Sequence, residues 1–229
     1  MVTVIYEDEE VILVHKKSGI AVQTKRTGEK DMVSLLKNYR AGKGEEPYIG
    51  VVHRLDQPVE GVMVFAKTPG ANAALSRQVS GGKLEKYYLA LVCILPGEKV
   101  KTGEEYTLTD YLLKDGKNNC SLVVEPSVSG AKKAVLSYRF LKQEEGLGEV
   151  LVRLYTGRHH QIRVQMSHAG YPLVGDRKYG DEMAFLAAEG NHIALCAVKI
   201  GFTHPKTLKK MEFSVTPENP IFRKVSYWG

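Results

Sequence analysis

Gly50-Val51-Val52-His53-Arg54-Leu55-Asp56, followed by Gln57-Pro58-Val59-Glu60-Gly61 and then Val62-Met63-Val64-Phe65-Ala66-Lys67-Thr68, decides how this chain is read. Two apolar runs rich in β-branched residues bracket a short segment that carries an Arg and an Asp two positions apart. Runs of this length bounded by Gly and Pro read as buried strands. A carboxylate on the connection between two buried strands is poorly placed to be a solvated surface charge. On its own, R-x-D reads as a structural ion pair; its surroundings give Asp56 a chemical reading.

A second long motif lies about a hundred residues on. Thr156-Gly157-Arg158-His159-His160-Gln161-Ile162-Arg163-Val164 precedes Ser167-His168-Ala169-Gly170-Tyr171-Pro172-Leu173-Val174-Gly175-Asp176 and closes with Tyr179-Gly180. Between the two motifs sits Lys86-Tyr87-Tyr88-Leu89-Ala90-Leu91-Val92. Taken together and in this order, H-R-L-D with its following Gly and strand, K-x-Y-x-A-x-V, and G-R-x-H-Q-I-R-V with V-G-D-x-x-Y-G resemble the RluA-type pseudouridine synthases. The likeness runs over nearly the whole chain.

The resemblance implies an α+β fold: a mixed, largely antiparallel sheet bent into two subdomains with a central RNA-binding cleft. It implies isomerisation of a uridine to pseudouridine in ribosomal or transfer RNA, with no metal and no cofactor. Asp56 matches the family's nucleophile, Arg163 the cation that pairs with it, and Tyr88 the residue whose ring stacks on the uracil and whose hydroxyl serves as base. Arg54 matches the residue that fills the place of the flipped-out nucleotide. Arg158 is a candidate phosphate contact, since a guanidinium grips phosphate with two parallel hydrogen bonds. His53 joins this substrate-binding group by position, although bracing the turn is the more natural task for it. The match begins within the first residues, so the expectation is residues 1–229 as one catalytic domain without an S4-type RNA-binding domain.

Composition sets bounds around this. With 229 residues, 43% hydrophobic and 25% charged, the chain has the make-up of a globular protein able to bury a sizeable core. No stretch approaches the roughly 20 apolar residues of a membrane span, and the N-terminus lacks the pattern of a signal peptide. Cys93, Cys120 and Cys196 are odd in number and scattered, which argues against a disulfide framework or a zinc site and for a reducing cytoplasm. The net charge of +6 is compatible with nucleic acid without requiring it. Arg153, Arg158, Arg163, Arg177 and Lys178 cluster around the second motif, and a basic face is expected there. His159, His160 and His168 lack the Cys or carboxylate companions that would complete a zinc shell. Asp176 reads as a turn or helix-cap residue. A monomer is the default.

Along the chain, residues 2–6 and 11–15 read as a hairpin of strands. Asp31 is a plausible N-cap for a helix carrying Val33, Leu35, Leu36 and Tyr39 and stopping at Gly42. Strands are expected at 49–52 and 62–66, a helix at 72–79, and a long strand at 84–92. The charged, Gly-containing stretch near 96–107 is a candidate subdomain boundary. Further strands are expected at 106–113, 121–125, 135–141, 149–155, 193–202 and 211–215. Residues 161–168 have helical spacing ahead of the Gly170-Tyr171-Pro172 stop. Segments 95–107 and 180–190 are candidate determinants of target choice.

One departure from the family pattern stands out. Relatives continue H-R-L-D-x-x-T-S-G, whereas Val59 and Glu60 replace both hydroxyls here, placing a negative charge close to a binder of polyanions. A non-catalytic RNA-binding protein and a nucleoside hydrolase are the competing readings. The second lacks a paired carboxylate, and the first leaves the joint presence of Asp56 and Arg163 unexplained.

Overall fold

The computed structural model describes residues 2–24, 28–180 and 192–224. The chain is α+β, with antiparallel strand pairs and three α-helices among the described residues. It forms two compact units, one of residues 1–86 and 197–217 and the other of residues 87–196 and 218–229.

The first unit opens with β1 (Thr3–Glu7) and β2 (Val11–Lys16), paired antiparallel. The acidic turn between them is held by Asp8, whose carboxylate accepts hydrogen bonds from the Glu10 and Val11 amides. β2 is buried along its whole length because β4 (Glu60–Ala66) flanks it, in a register running from Val11↔Ala66 to Lys16↔Gly61. β3 is only two residues, Gly50–Val51, and pairs with the far end of β4. Residues 52–59 are therefore the connection into β4. α1 (Met32–Gly42) starts where the sequence predicts: Asp31 and Ser34 form a reciprocal capping box.

α2 (Pro69–Ser80) begins three residues earlier than the apolar periodicity suggests. Thr68 caps it by accepting from the Ala71 amide, and Pro69 takes the first helical position, where its missing N–H costs nothing. Its Ala71 and Leu75 pack with Val11, Leu13, Val62, Val64, Ile200 and Phe202 into one apolar core. β10 (Leu195–Thr203) and β11 (Lys210–Ser214) form an antiparallel pair.

In the second unit, β5 (Glu85–Cys93), β9 (Leu147–Leu154), β8 (Lys132–Glu144), β6 (Glu105–Asp115) and β7 (Cys120–Val124) pair in that order, each antiparallel to the next. β8 is nearly twice the expected length, because its lysine-rich ends continue the ladder beyond the apolar run. Residues 96–107 lie within this unit and lead into β6. α3 (Gln161–His168) has the bounds read from the sequence, and Val164 packs on Leu112 and Ala134 of the sheet. A short 3₁₀ turn, Pro220–Lys224, follows residue 219. The segment 181–191, which covers most of one expected target-choice element, lies outside the described residues.

Candidate active site

In the first unit, the loop that carries Asp56 is tied to the segment following β2 by a dense set of hydrogen bonds. The Gln57 carbonyl accepts from the Gly19 amide at 2.9 Å, and Gln57 Nε2 donates to the Gly19 carbonyl at 3.0 Å. Ser18 Oγ donates to the Pro58 carbonyl at 2.7 Å. Within the loop, the Val59 amide closes a turn on the Asp56 carbonyl at 3.0 Å. The backbone from Asp56 to Val59 is thus held before any ligand arrives.

At the centre of this knot is Lys16, which has no exposed surface. Its ammonium spends its three protons on three carbonyls: Ile20 at 2.6 Å, Gln57 at 3.1 Å and Lys17 at 3.2 Å. Burial pulls the Lys16 ammonium down to about 8, against the opposing attraction of the Asp56 and Glu60 carboxylates. A buried cation therefore acts on Asp56 from within its own unit. The sequence signal for it was a lysine closing a strand that opens on four apolar residues, Val11 to Val14.

Arg54 is exposed, as a residue reaching for RNA must be. His53 is a brace: its Nε2 accepts the Val64 amide at 3.2 Å. Burial, with Lys86 adding repulsion, pushes its imidazole down to about 3. It is neutral throughout the physiological range and accepts a proton only in strong acid. Gly61 makes the exit from the loop possible. Its φ is +134°, and a Cβ there would lie 2.4 Å from the backbone N and O of Ala197. The two departures from the family pattern both turn inward, Val59 at 2% and Glu60 at 3% exposure. The expected negative charge toward a polyanion is therefore corrected: Glu60 is buried, with His15 Nε2 3.8 Å away.

The second unit holds the other expected residues. Tyr88 is buried and pairs in register with Val152. Tyr87, one step along the strand, points the other way and packs under the guanidinium of Arg153, its cross-strand partner. Arg163 is 4% exposed, so it contributes nothing to a basic surface. It grips Asp176 with two parallel hydrogen bonds, Nε to Oδ2 at 2.7 Å and Nη2 to Oδ1 at 2.8 Å, and its guanidinium lies over the Tyr179 ring. Asp176 is also the turn residue the sequence predicts, accepting the Lys178 and Tyr179 amides. Its ion pair with Arg163 was not legible.

His160 has φ +52° at the start of α3. Its ring stacks on His159, 3.8 Å between centroids, and its Nδ1 meets the Tyr179 hydroxyl at 2.9 Å. His159 in turn lies 3.0 Å from Ser121 Oγ. Gln161 Oε1 accepts the Thr156 hydroxyl and the Arg158 amide, which shapes the entry to the helix. Arg158 is exposed, and its Nε donates to the Lys133 carbonyl at 2.9 Å, which leaves the two terminal nitrogens for a further contact. Among the described residues, no three His, Cys, Asp or Glu side chains converge as a metal site, and no helix is long and apolar enough to cross a membrane. Asp56, Arg54 and His53 thus belong to the first unit, and Tyr88, Arg158 and Arg163 to the second.

Comparison with known proteins gives one consistent result. A family model described as RNA pseudouridylate synthase matches residues 10–168. Ribosomal large subunit pseudouridine synthase D of Xylella fastidiosa is 36% identical over 203 residues, which are 87% of this chain and 57% of that protein. Its namesake in Pasteurella multocida is 31% identical over 222 residues, 92% of this chain and 65% of that one. The chain therefore spans about 57–65% of the length of these two relatives. Among solved structures, human RNA pseudouridylate synthase domain containing 4 superposes with a TM-score of 0.76 at 17% identity, covering 96% of this chain and 90% of that one. At that identity the likeness establishes the shared fold.

Proposed function

The chain belongs to the RNA pseudouridylate synthase family, and from that premise we propose that it converts uridine to pseudouridine in RNA with Asp56 as the group that acts on the sugar. The observation that carries this reading is the Asp56 loop itself, tied down through residues 56–59 and served by a fully buried ammonium. A pre-set carboxylate with a cation beside it is what attack at C1′ requires.

In the proposed reaction the target nucleotide is flipped out of its stack at a cost of a few kcal/mol, and Arg54 fills the vacated place. The carboxylate attacks C1′ as the N1–C1′ bond breaks and its electron pair goes to the uracil. The uracil turns, C5 bonds to C1′ and the carboxylate leaves. The C5 proton then passes to a base, for which the Tyr88 side-chain oxygen is the proposed acceptor, and N1 takes up a proton to become the N1–H of pseudouridine. Arg163, held by Asp176, supplies positive charge to the reacting carboxylate, and Arg158 binds backbone phosphate. His53 holds the turn. The change is an isomerisation that is redox-neutral and balances without a cofactor.

The names of the relatives speak of the large ribosomal subunit, which makes ribosomal RNA the first substrate to try, with transfer RNA second. Cytoplasmic action as a monomer fits such a substrate. The test is tritium release from RNA carrying [5-³H]uridine, since C5 must lose its hydrogen when it bonds to C1′. Release with the wild type and none with Asp56→Asn, at equal RNA binding, supports the reading. Equal binding with no release from either contradicts it and favours an RNA-binding protein without chemistry.

A further inference from the structure

In its outer strands, the sheet of the second unit is covered on one face and open on the other. Val164 of α3 packs on Leu112 and Ala134. The residues that alternate with these along β6 and β8 turn the other way, and Thr107, Thr109, Lys133 and Arg139 among them are exposed. The register carries the open face onto the neighbouring strands, as Tyr87↔Arg153↔Ser137↔Thr107. It is the face that Tyr87 shares and Tyr88 does not.

Tyr155, just past the end of β9, stands out from this face at 44% exposure. The Arg153 guanidinium lies over two rings, 5.2 Å from the centroid of Tyr155 and 5.6 Å from that of Tyr87. Ser137 Oγ spends its proton on Glu105 Oε1 at 2.6 Å, so the Tyr155 hydroxyl, 3.3 Å away, donates to it. The Tyr155 amide donates to the Val135 carbonyl at 3.2 Å. The ring is therefore held at its face, its tip and its backbone, and little ordering is left for a ligand to impose. Lys133 and Arg139 lie on either side along β8, and Arg158 is fastened by its Nε to the Lys133 carbonyl. Glu105 is the carboxylate within this strip; Glu85, two places before Tyr87 on β5, has its side chain beside Gly201 of β10.

We propose that this strip binds single-stranded RNA, with one base stacked on Tyr155 and the flanking phosphates on Lys133 and Arg139. A fixed, exposed ring among cations is what an unpaired base and its backbone require. A protein partner would seek an apolar centre, and the centre here is made of Thr107, Thr109 and Ser137. The contact lies outside the reacting site and stands whether or not Asp56 acts on the sugar; that it holds the same RNA as the substrate rests on the pseudouridine synthase reading.

The test is fluorescence anisotropy of labelled oligouridine of about twelve nucleotides, a length within the range such surfaces occupy, titrated with the full chain. Tyr155→Ala should raise Kd about fivefold or more, and Tyr155→Phe, which keeps the ring, should stay within about twofold of wild type. Lys133→Gln with Arg139→Gln should flatten the slope of log affinity against log salt by about 1.4, the loss of two phosphate contacts on a single strand. Asp56→Asn should bind as the wild type does. No binding by the wild type overturns the proposal, as does a Kd that neither Tyr155→Ala nor the double variant moves by more than about twofold. Tyr155→Phe as weak as Tyr155→Ala assigns the effect to the hydroxyl and overturns the stacking. Polyglutamate competing as well as RNA overturns the commitment to RNA. If the wild type binds but forms no pseudouridine, the functional reading fails and these affinities alone decide this one.

Discussion

Replacing Lys16 by Met separates fold from function in a way the structure makes quantitative. The side chain keeps its apolar stem and loses its ammonium. Of the three carbonyls it served, Gln57 retains the Gly19 amide, while Ile20 and Lys17 lose this donor. Two part-buried acceptors left short cost at most about 1–3 kcal/mol each. Against this stands the desolvation of the ammonium. Its fall from 10.5 to about 8 corresponds to roughly 3 kcal/mol removed along with the charge. The net change in stability should thus be small, between a gain of about 1 kcal/mol and a loss of about 3 kcal/mol.

The catalytic consequence should be large. Asp56 loses a buried cation, and the Gln57 carbonyl loses one of its two anchors. A drop in kcat of about a hundredfold, or roughly 2.7 kcal/mol, is expected, with RNA affinity within threefold of wild type. The pH dependence has a definite sign. Between pH 8 and 10.5 unfolded Lys16 holds its proton and folded Lys16 does not, so this group makes stability rise with pH across that window. Below pH 8 its full penalty stands, and in Lys16→Met the contribution vanishes. Urea unfolding at pH 7, 8.5 and 10 reads the first part and single-turnover kinetics the second. A folded Lys16→Met protein with kcat within threefold of wild type would refute the reasoning.

Three further outcomes are expected. Gly61→Ala combines a positive φ with overlap against the Ala197 backbone; by chemical denaturation it should lose about 2–6 kcal/mol, and a loss under 1 kcal/mol is inconsistent with the close approach. Asp176→Asn removes the carboxylate that Arg163 grips with two hydrogen bonds and should cost about 3–5 kcal/mol of stability, with Asp176→Glu recovering only part of it; thermal unfolding of both variants checks this. RNA affinity should fall steeply with added salt, as release of counterions demands, and a flat response between 50 and 200 mM contradicts an RNA substrate.

How much of this was legible in the sequence depended on whether a feature was local. α1 and α3 were readable because Asp31 and the Gly170-Tyr171-Pro172 stop are local signals, whereas α2 was read short because Thr68-Pro69 looked like the end of a strand rather than a cap and a first helical residue. β8 outran its apolar run because a strand exposed at its ends needs only backbone pairing there, and Lys132, Lys133 and Lys142 supply no hydrophobic signal. Motif register named Asp56, Tyr88 and Arg163 and separated Tyr88 from Tyr87. The buried charges escaped. Lys16, Glu60 and the Arg163–Asp176 pair are set by tertiary neighbours, and a charged residue in a sequence reads as surface until its counter-charge is found. The basic face expected at the second motif loses Arg163 for the same reason.

The most direct test of the central claim is site-resolved pseudouridine mapping. Ribosomal and transfer RNA from a strain lacking this gene would be incubated in parallel with wild-type protein and with Asp56→Asn. The account predicts new pseudouridine at one or a few sites with the wild type alone. New sites with both proteins would show that Asp56 is not the group that acts on the sugar.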